Sequence, residues 1–458
     1  MIRGYARNMK IFFIATLGCK VNQYESHSLR EAWLSKGWLE TDSPGSARLI
    51  LVNSCAVTAK AVADVRNTVR RLHRAAPQAE ILVTGCAAQV LTQELAALPG
   101  VSAVVSQDDK SRLLAAPLMQ DVHMDNGPTG MPLPAEVAHT AAKTPFPPFS
   151  LSGYDRSRAV LKIQDGCSHG CTYCIVPLTR GRARSRDFED SLAEVRRLIQ
   201  TGYREITLSG INLRQYKDSD KRDFWDCIAA LEAALAPEWT GRLRLRISSL
   251  EPGQLTGKAL DTLAASRLVA PHLHLSLQSG SPAVLRRMGR SHYDPTCLPD
   301  FLAQLRRHWP VFGLGADILT GFPGETEEEF AEGATFCRSL PLTYAHVFPY
   351  SRRPGTAAAA MSGQVSPEVK KTRAASLRAM VAEKKQNFLA SQLALPQLLV
   401  VFEPQNADAP ASSIQGVNEY YSDCRLVPQD SREKPLSGAL CAVIPVAVDK
   451  GALSVRIA

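Results

Sequence analysis

Three cysteines fall within one eight-residue stretch, Cys167-Ser-His-Gly-Cys171-Thr-Tyr-Cys174, and no other feature of the chain restricts its folding as tightly. Thiolates are soft ligands, and three of them on a 4Fe–4S cluster leave one iron open to a ligand from outside the protein. To aim three sulfurs inward a loop this short needs a relaxed backbone, which Gly166 and Gly170 supply. The alternative for such a set is a zinc site with a distant fourth ligand, with His169 a candidate. Zinc sites of that kind read as a CxxC pair followed by a second pair, and no second pair follows here.

From residue 10 onward, apolar runs of strand length alternate with helical periodicity, the pattern of a parallel sheet with helices on its faces. Strands are expected over 11–16, 49–53, 81–84 and 101–106, and helices over 23–36, 60–73 and 89–97. Cys19, Cys55 and Cys86 each follow one of these strands, about one βαβ unit apart. They then share the carboxyl edge of the sheet, where open parallel sheets bind ligands. Either they are small buried residues, as free cysteines often are, or they ligate a second three-cysteine 4Fe–4S cluster. Glycine beside the thiol in Gly18-Cys19 and Gly85-Cys86 favours the second reading, because backbone must pass close to a ligand.

Residues 121–152 lose periodicity and gather proline and glycine, as in Asn126-Gly-Pro-Thr-Gly130 and Pro145-Phe-Pro-Pro148, which reads as an interdomain linker. Beyond it, strands expected at 159–164, 205–208, 243–248, 272–277, 314–319 and 344–348 alternate with helices. This α/β pattern describes a partial (β/α)6 barrel with its site at the strand carboxyl ends. The polar residues at those ends are Ser209, Gly210 and Asn212, then Gln278, Ser279 and Gly280, then Asp317 with Gly321-Phe-Pro-Gly-Glu325. Ordinary turn chemistry also produces Ser-Gly and Pro-Gly pairs. No Gly-rich phosphate loop is evident, and His272 and His274, alternating on one strand, read as core or rim histidines.

Arg180, Arg182, Arg184 and Arg186 stand at every second position. An extended segment would throw all four guanidiniums to one side, a row suited to an RNA backbone, although a solvated charged loop has the same composition. Residues 367–390 read as a basic helix, and the β-like runs at 397–402, 420–427, 441–448 and 453–457 as a small β-barrel. Cys227, Cys297, Cys337, Cys424 and Cys441 show no ligand spacing and read as structural thiols.

A chain of 458 residues has room for two or three domains, here placed at 10–120, 153–385 and 386–458 around the 121–152 linker. Fifty-three Lys and Arg against 44 Asp and Glu give a net charge of +9, which permits a nucleic-acid partner without requiring one. Eleven cysteines without a secretory signal pattern point to metal or redox use in a reducing, cytoplasmic compartment. No apolar run approaches about 18 residues, so no membrane span is expected.

The CxxxCxxC loop, with Tyr173 just before its last cysteine, resembles the signature of radical S-adenosylmethionine enzymes. The resemblance implies that Cys167, Cys171 and Cys174 hold a 4Fe–4S cluster whose open iron chelates S-adenosylmethionine. It further implies that Tyr173, Ser209, Gly210, Asn212, Gln278, Ser279 and Asp317 surround that cofactor. Thr16-Leu-Gly-Cys-Lys-Val-Asn-Gln-Tyr-Glu-Ser26 resembles the amino-terminal domain of the methylthiotransferases, most of all the branch acting on N6-threonylcarbamoyladenosine in tRNA.

That family resemblance covers nearly the whole chain. It implies a doubly wound amino-terminal domain with a second 4Fe–4S cluster on Cys19, Cys55 and Cys86. It also implies a carboxy-terminal TRAM-like RNA-binding barrel, and a segment near the active site at Tyr350-Ser-Arg-Arg-Pro-Gly-Thr356. The expected activity is methylthiolation of C2 of the modified adenosine at position 37, using two S-adenosylmethionine molecules. The tRNA anticodon loop is the expected partner, a sulfur source and an electron donor are also required, and the chain is read as a monomer. The same chemistry on isopentenyladenosine or on a ribosomal protein side chain is the alternative. A redox-sensing iron–sulfur RNA-binding protein is an alternative of another class.

Overall fold

The computed structural model describes residues 10–115, 145–404, 414–427 and 438–458, so most of the expected linker lies outside the described residues. The chain divides into two compact units. One comprises the residues up to Ser152 with Asp165–Arg184 and Ser351–Ala359, and the other Gly153–Gln164, Ser185–Tyr350 and Ala360–Ala458.

The first unit is built on a parallel sheet of β1 (Ile11–Thr16), β2 (Leu39–Glu40), β3 (Leu49–Ser54), β4 (Glu80–Gly85) and β5 (Val101–Val104), in the order β2-β1-β3-β4-β5. Every residue of β3 is buried, as a central strand covered on both faces requires. Between the strands run α1 (Lys20–Ser35), α2 (Ala59–Ala75), α3 (Cys86–Val90) and α4 (Thr92–Ala96). In α2 the buried Val62, Val65, Val69 and Leu72 recur every three or four residues, one face of a 3.6-residue period. Thr58 caps that helix by accepting the Ala61 N–H at 3.0 Å.

Strand β2 was not expected, because its two residues are exposed and carry no alternation. The helix expected over 89–97 is two short helices, broken at Leu91 where φ is −130°. A fifth helix, α5 (Val176–Arg180), follows the cysteine loop. Just before and within it, Ile175 and Leu178 pack into the core that β3, β4, α2 and α3 share.

The second unit carries six parallel strands: β6 (Ala159–Lys162), β7 (Glu205–Ser209), β8 (Arg244–Ile247, continued by Ser249–Leu250), β9 (His272–Gln278), β10 (Gly313–Thr320) and β11 (Tyr344–Pro349). They pair in chain order, interrupted only at Ser248, which makes the expected open (β/α)6 arc. Six helices alternate with them or flank them: α6 (Phe188–Gln200), α7 (Phe224–Trp239), α8 (Gly257–Ala265), α9 (Pro282–Arg287), α10 (Leu298–Leu305) and α11 (Glu327–Ser339).

The long helix α12 (Pro367–Ser391) leads to a closed barrel of β12 (Leu398–Phe402), β13 (Gln415–Asn418), β14 (Asp423–Leu426), β15 (Leu440–Asp449) and β16 (Ala452–Ile457), ordered β12-β13-β14-β16-β15. This matches the expected TRAM-like fold. The run expected as a strand from 420 starts at Asp423, because the Asn418 side chain accepts the Tyr420 and Ser422 N–H groups and closes a turn with Tyr421 at φ +67°. Strand β13 was missed, as Gln415-Gly-Val-Asn418 offers little apolar signal.

Beneath the arc, Glu205 on β7 accepts from Arg244 Nε and Arg246 Nε, each at 2.7 Å. These two arginines also donate to the carboxy-terminal barrel, at Leu399 O (2.8 Å) and Asn418 O (3.0 Å). Among the described residues no helix is long and apolar enough to cross a membrane.

Candidate iron–sulfur and cofactor sites

Cys19, Cys55 and Cys86 follow β1, β3 and β4, three adjacent strands of one sheet. The register aligns Thr16 with Asn53, and Ser54 with Gly85, so the three chain exits lie at one height on the carboxyl edge. Cys19 caps α1 and is exposed, while Cys55 and Cys86 are buried. Burial pushes the Cys55 thiol up to about 11; the Val57 backbone opposes this, Cys86 and Cys19 add to it, and Arg180 lowers it. A metal entering there must displace that proton.

Gly18 and Gly85 have φ of +103° and +98°, and what crowds them is the neighbouring strand. A Cβ on Gly18 would lie 2.9 Å from Cys55 Sγ, and one on Gly85 2.4 Å from Ser54 O. Close packing of the edge is by itself enough to demand glycine at both positions.

The loop carrying Cys167, Cys171 and Cys174 leaves the chain segment after β6 and belongs to the first unit. All three thiols are half-buried. Cys174 N–H closes a turn onto Cys171 O at 3.0 Å, placing Tyr173 within it, and Cys167 N–H donates to Gly181 O at 3.0 Å. Gly166 has φ +66°, and a Cβ there would meet Arg182 O at 2.0 Å. Soft, reduced donors on a loop pinned at its base suit an iron–sulfur cluster.

An ionic network that spacing did not reveal lies in the same unit. Arg180, at the end of α5, is buried and donates to Glu25 Oε1 (2.9 Å), Asp165 Oδ1 (3.0 Å) and Asn22 Oδ1 (2.6 Å). Lys110, also buried, donates to Glu25 Oε2 (2.6 Å) and Asn53 Oδ1 (2.9 Å). Burial alone would lower the Arg180 pKa, but Glu25 and Asp165 override it, so the group stays charged. The expected row of four guanidiniums is therefore corrected. Arg180 lies in a helix rather than an extended run, Arg184 shares Asp165 with it, and Arg186 pairs with Glu194, so these three guanidiniums are held by carboxylates of the protein itself. The one available signal was the polar Asn22, Glu25 and Ser26 on an otherwise core-facing stretch of α1.

In the second unit, Ser209 ends β7 and its carbonyl accepts the Ile163 N–H at 2.9 Å. Gly210 leaves no room for a side chain, with Gln164 Cβ 2.8 Å from where its own Cβ would lie. Asn212 is buried, its N–H on Gln164 Oε1 at 2.7 Å and its Oδ1 on Arg214 N–H at 3.1 Å. Gln278 ends β9 in the left-handed region at φ +63°, a strained conformation of the kind that collects at functional sites. Ser279 Oγ accepts the Ser281 N–H at 3.1 Å. Asp317 is held 3.1 Å from His274 Nε2, and Tyr344 OH bridges His274 Nδ1 and His272 Nε2 at 2.9 Å each. Both histidines are buried core groups.

Family comparisons agree with this architecture. Residues 11–106 match the family described as "Uncharacterized protein family UPF0004", and residues 161–337 match the radical SAM superfamily. The threonylcarbamoyladenosine tRNA methylthiotransferase MtaB of Bacillus subtilis (strain 168) is 38% identical over 358 residues, covering 78% of this chain and 77% of that protein. The MtaB of Aquifex aeolicus (strain VF5) is 32% identical over 386 residues, covering 83% and 90%. A tRNA-2-methylthio-N(6)-dimethylallyladenosine synthase of Sphingopyxis alaskensis is 33% identical over 381 residues, covering 83% and 84%.

Among solved structures, the radical S-adenosylmethionine methyltransferase TsrM of Kitasatospora setae shares the fold. It superposes with a TM-score of 0.56 at 16% identity, over 88% of this chain and 80% of that one. S-adenosylmethionine and a 4Fe–4S cluster are the cofactors of enzymes of this superfamily. The chain belongs to the radical S-adenosylmethionine tRNA methylthiotransferase family, alongside the members named MtaB.

Proposed function

We propose that this enzyme methylthiolates C2 of N6-threonylcarbamoyladenosine at position 37 of tRNA, using two 4Fe–4S clusters and two S-adenosylmethionine molecules per product. The supporting observation is the pair of three-cysteine sets within one compact unit, one on three adjacent strand ends and one on the loop after β6. Cys167, Cys171 and Cys174 would hold the cluster that binds S-adenosylmethionine, and Cys19, Cys55 and Cys86 the second. When bound, S-adenosylmethionine would supply the methyl group and, on receiving an electron from the cluster that binds it, the 5′-deoxyadenosyl radical. A radical is needed because the C2–H bond has no acidic proton for a side-chain base to remove.

Tyr173, Ser209, Gly210, Asn212, Gln278, Ser279 and Asp317 are the residues proposed to line the cofactor. Their part is to orient it and exclude water. The target base must leave its stack to reach the strand ends, as for other enzymes that act on a base. Threonylcarbamoyladenosine is the favoured substrate because the relatives at 38% and 32% identity carry that name. The proposed setting is the cytoplasm, where tRNA, a sulfur source and an electron donor are available.

Iron and sulfide content with Mössbauer spectra, on anaerobic wild type and the Cys19/Cys55/Cys86→Ala variant, tests the cluster assignment. About eight irons falling to about four is expected for two clusters; four in both would remove the second. Nucleoside mass spectrometry of tRNA from a deletion strain tests the substrate. Loss of methylthio-threonylcarbamoyladenosine is expected, whereas loss of the isopentenyl form, or of a modified ribosomal protein alone, would overturn that choice.

A further inference from the structure

Arg180 sits where both cysteine sets are anchored. It is buried, and its fork reaches three acceptors from two directions. On one side are Asn22 Oδ1 (2.6 Å) and Glu25 Oε1 (2.9 Å), both on the helix that Cys19 caps. On the other is Asp165 Oδ1 at 3.0 Å, just ahead of Cys167. Arg180 itself ends the helix that follows Cys174, so Asp165 and Arg180 close the root of the Cys167–Cys174 loop from its two ends.

The first side is equally well tied down. Asn22 Nδ2 donates to Leu17 O (2.8 Å) and to Ser54 O (2.9 Å), the residue before Cys55. Asn53 Nδ2 donates to Asn22 O at 2.9 Å. Through Asn22 the guanidinium is two hydrogen bonds away from the backbone of Ser54, next to Cys55. Lysine could carry the charge but not the fork, since a single ammonium cannot present parallel N–H groups to a carboxylate and reach further acceptors in fixed geometry.

We infer that Arg180 is a positioning residue that fixes the two cluster sites relative to one another and raises the reduction potential of the Cys19/Cys55/Cys86 cluster. The inference rests on the two-cluster reading above. Its physical basis has two parts. A rigid buried fork transmits position between the loop root and the sheet edge, and a fixed positive charge beside a cluster stabilises the reduced, more negative state.

The test compares wild type, Arg180→Lys and Arg180→Met as full-length, anaerobically reconstituted proteins. Three readouts are needed: iron content, EPR redox titration, and the dipolar coupling between the two reduced clusters. About eight irons per chain are expected throughout. Arg180→Met should reduce its amino-terminal cluster only at a more negative potential. Arg180→Lys should restore the potential but broaden the inter-cluster distance distribution and form more 5′-deoxyadenosine per methylthiolated nucleoside.

Wild-type potential and coupling in both variants, with about eight irons retained, would overturn the role of Arg180 while leaving the two-cluster reading intact. Four irons in the wild type would overturn both. If Arg180→Met is recovered only as aggregate, Arg180→Lys decides, and an unchanged distance distribution in that variant sinks the inference.

Discussion

Gly85 shows how a single position can be demanded by its neighbours. With φ at +98°, and Ser54 O only 2.4 Å from where a Cβ would stand, Gly85→Ala meets both a forbidden backbone region and a clash with a central strand. The expected cost is about 1 to 3 kcal/mol from the backbone alone, with the clash added. A lower midpoint in urea unfolding followed by circular dichroism, together with reduced iron loading, checks it. An unchanged midpoint would mean that the β3–β4 edge relaxes freely.

The glycine–cysteine pairs are visible in the sequence, and the fold adds a demand for glycine that comes from the protein's own packing. A positive φ says that backbone comes close to something, and the sequence does not say whether that is a ligand or strand β3. Arg180 was misread for a related cause. Glu25 is 155 positions away from it, and a single sequence carries no signal for so distant a charge pair. Neither the row of guanidiniums nor a solvated loop, the two readings that the spacing offers, describes the buried ion pair.

At the scale of elements, α5 is too short to hold itself as a helix, so its place depends on packing. Ile175 and Leu178 enter the first unit's core, and Ile175 immediately follows Cys174. Ile175→Ala should cost about 2 to 5 kcal/mol and loosen the Cys167–Cys174 loop, seen as selective loss of the iron that survives in the Cys19/Cys55/Cys86→Ala variant. Unchanged iron on adding Ile175→Ala to the Cys19/Cys55/Cys86→Ala variant would separate the helix from the loop.

A second element test concerns α11, whose capping box joins Thr326 Oγ1 to Glu329 N–H (3.2 Å) and Glu329 Oε2 to Thr326 N–H (3.0 Å). Thr326→Ala should cost about 1 kcal/mol, read as a small drop in the unfolding midpoint. The strands legible in the sequence carry apolar runs, the clearest being Leu49–Ser54, buried along its whole length. Among those it missed are Leu39–Glu40 and Gln415–Asn418, where pairing with neighbours creates the strand and composition does not.

At the scale of the molecule, the second unit hangs on one carboxylate. Burial would raise the Glu205 pKa, but Arg244, Arg246 and Arg158 more than reverse this and hold it at about 2, against an ordinary 4.5. Because the folded value is the depressed one, the stabilisation is complete above about pH 4.5. It drains away as pH falls towards 2, amounting to roughly 3 kcal/mol for a shift of this size.

The same arginines donate to Leu399 O and Asn418 O, so neutralising Glu205 affects the attachment of the carboxy-terminal barrel as well as the parallel arc. Glu205→Gln should therefore cost about 3 to 5 kcal/mol at pH 7, the penalty for leaving buried charges unpaired. It should also flatten the loss of stability between pH 4.5 and 2. Unfolding curves at several pH values, with tryptophan fluorescence and protease sensitivity of the tail read in parallel, distinguish the possibilities. If the variant keeps the wild-type acid slope, another carboxylate governs it. If the arc loosens while the tail stays resistant, Glu205 stabilises the parallel strands alone.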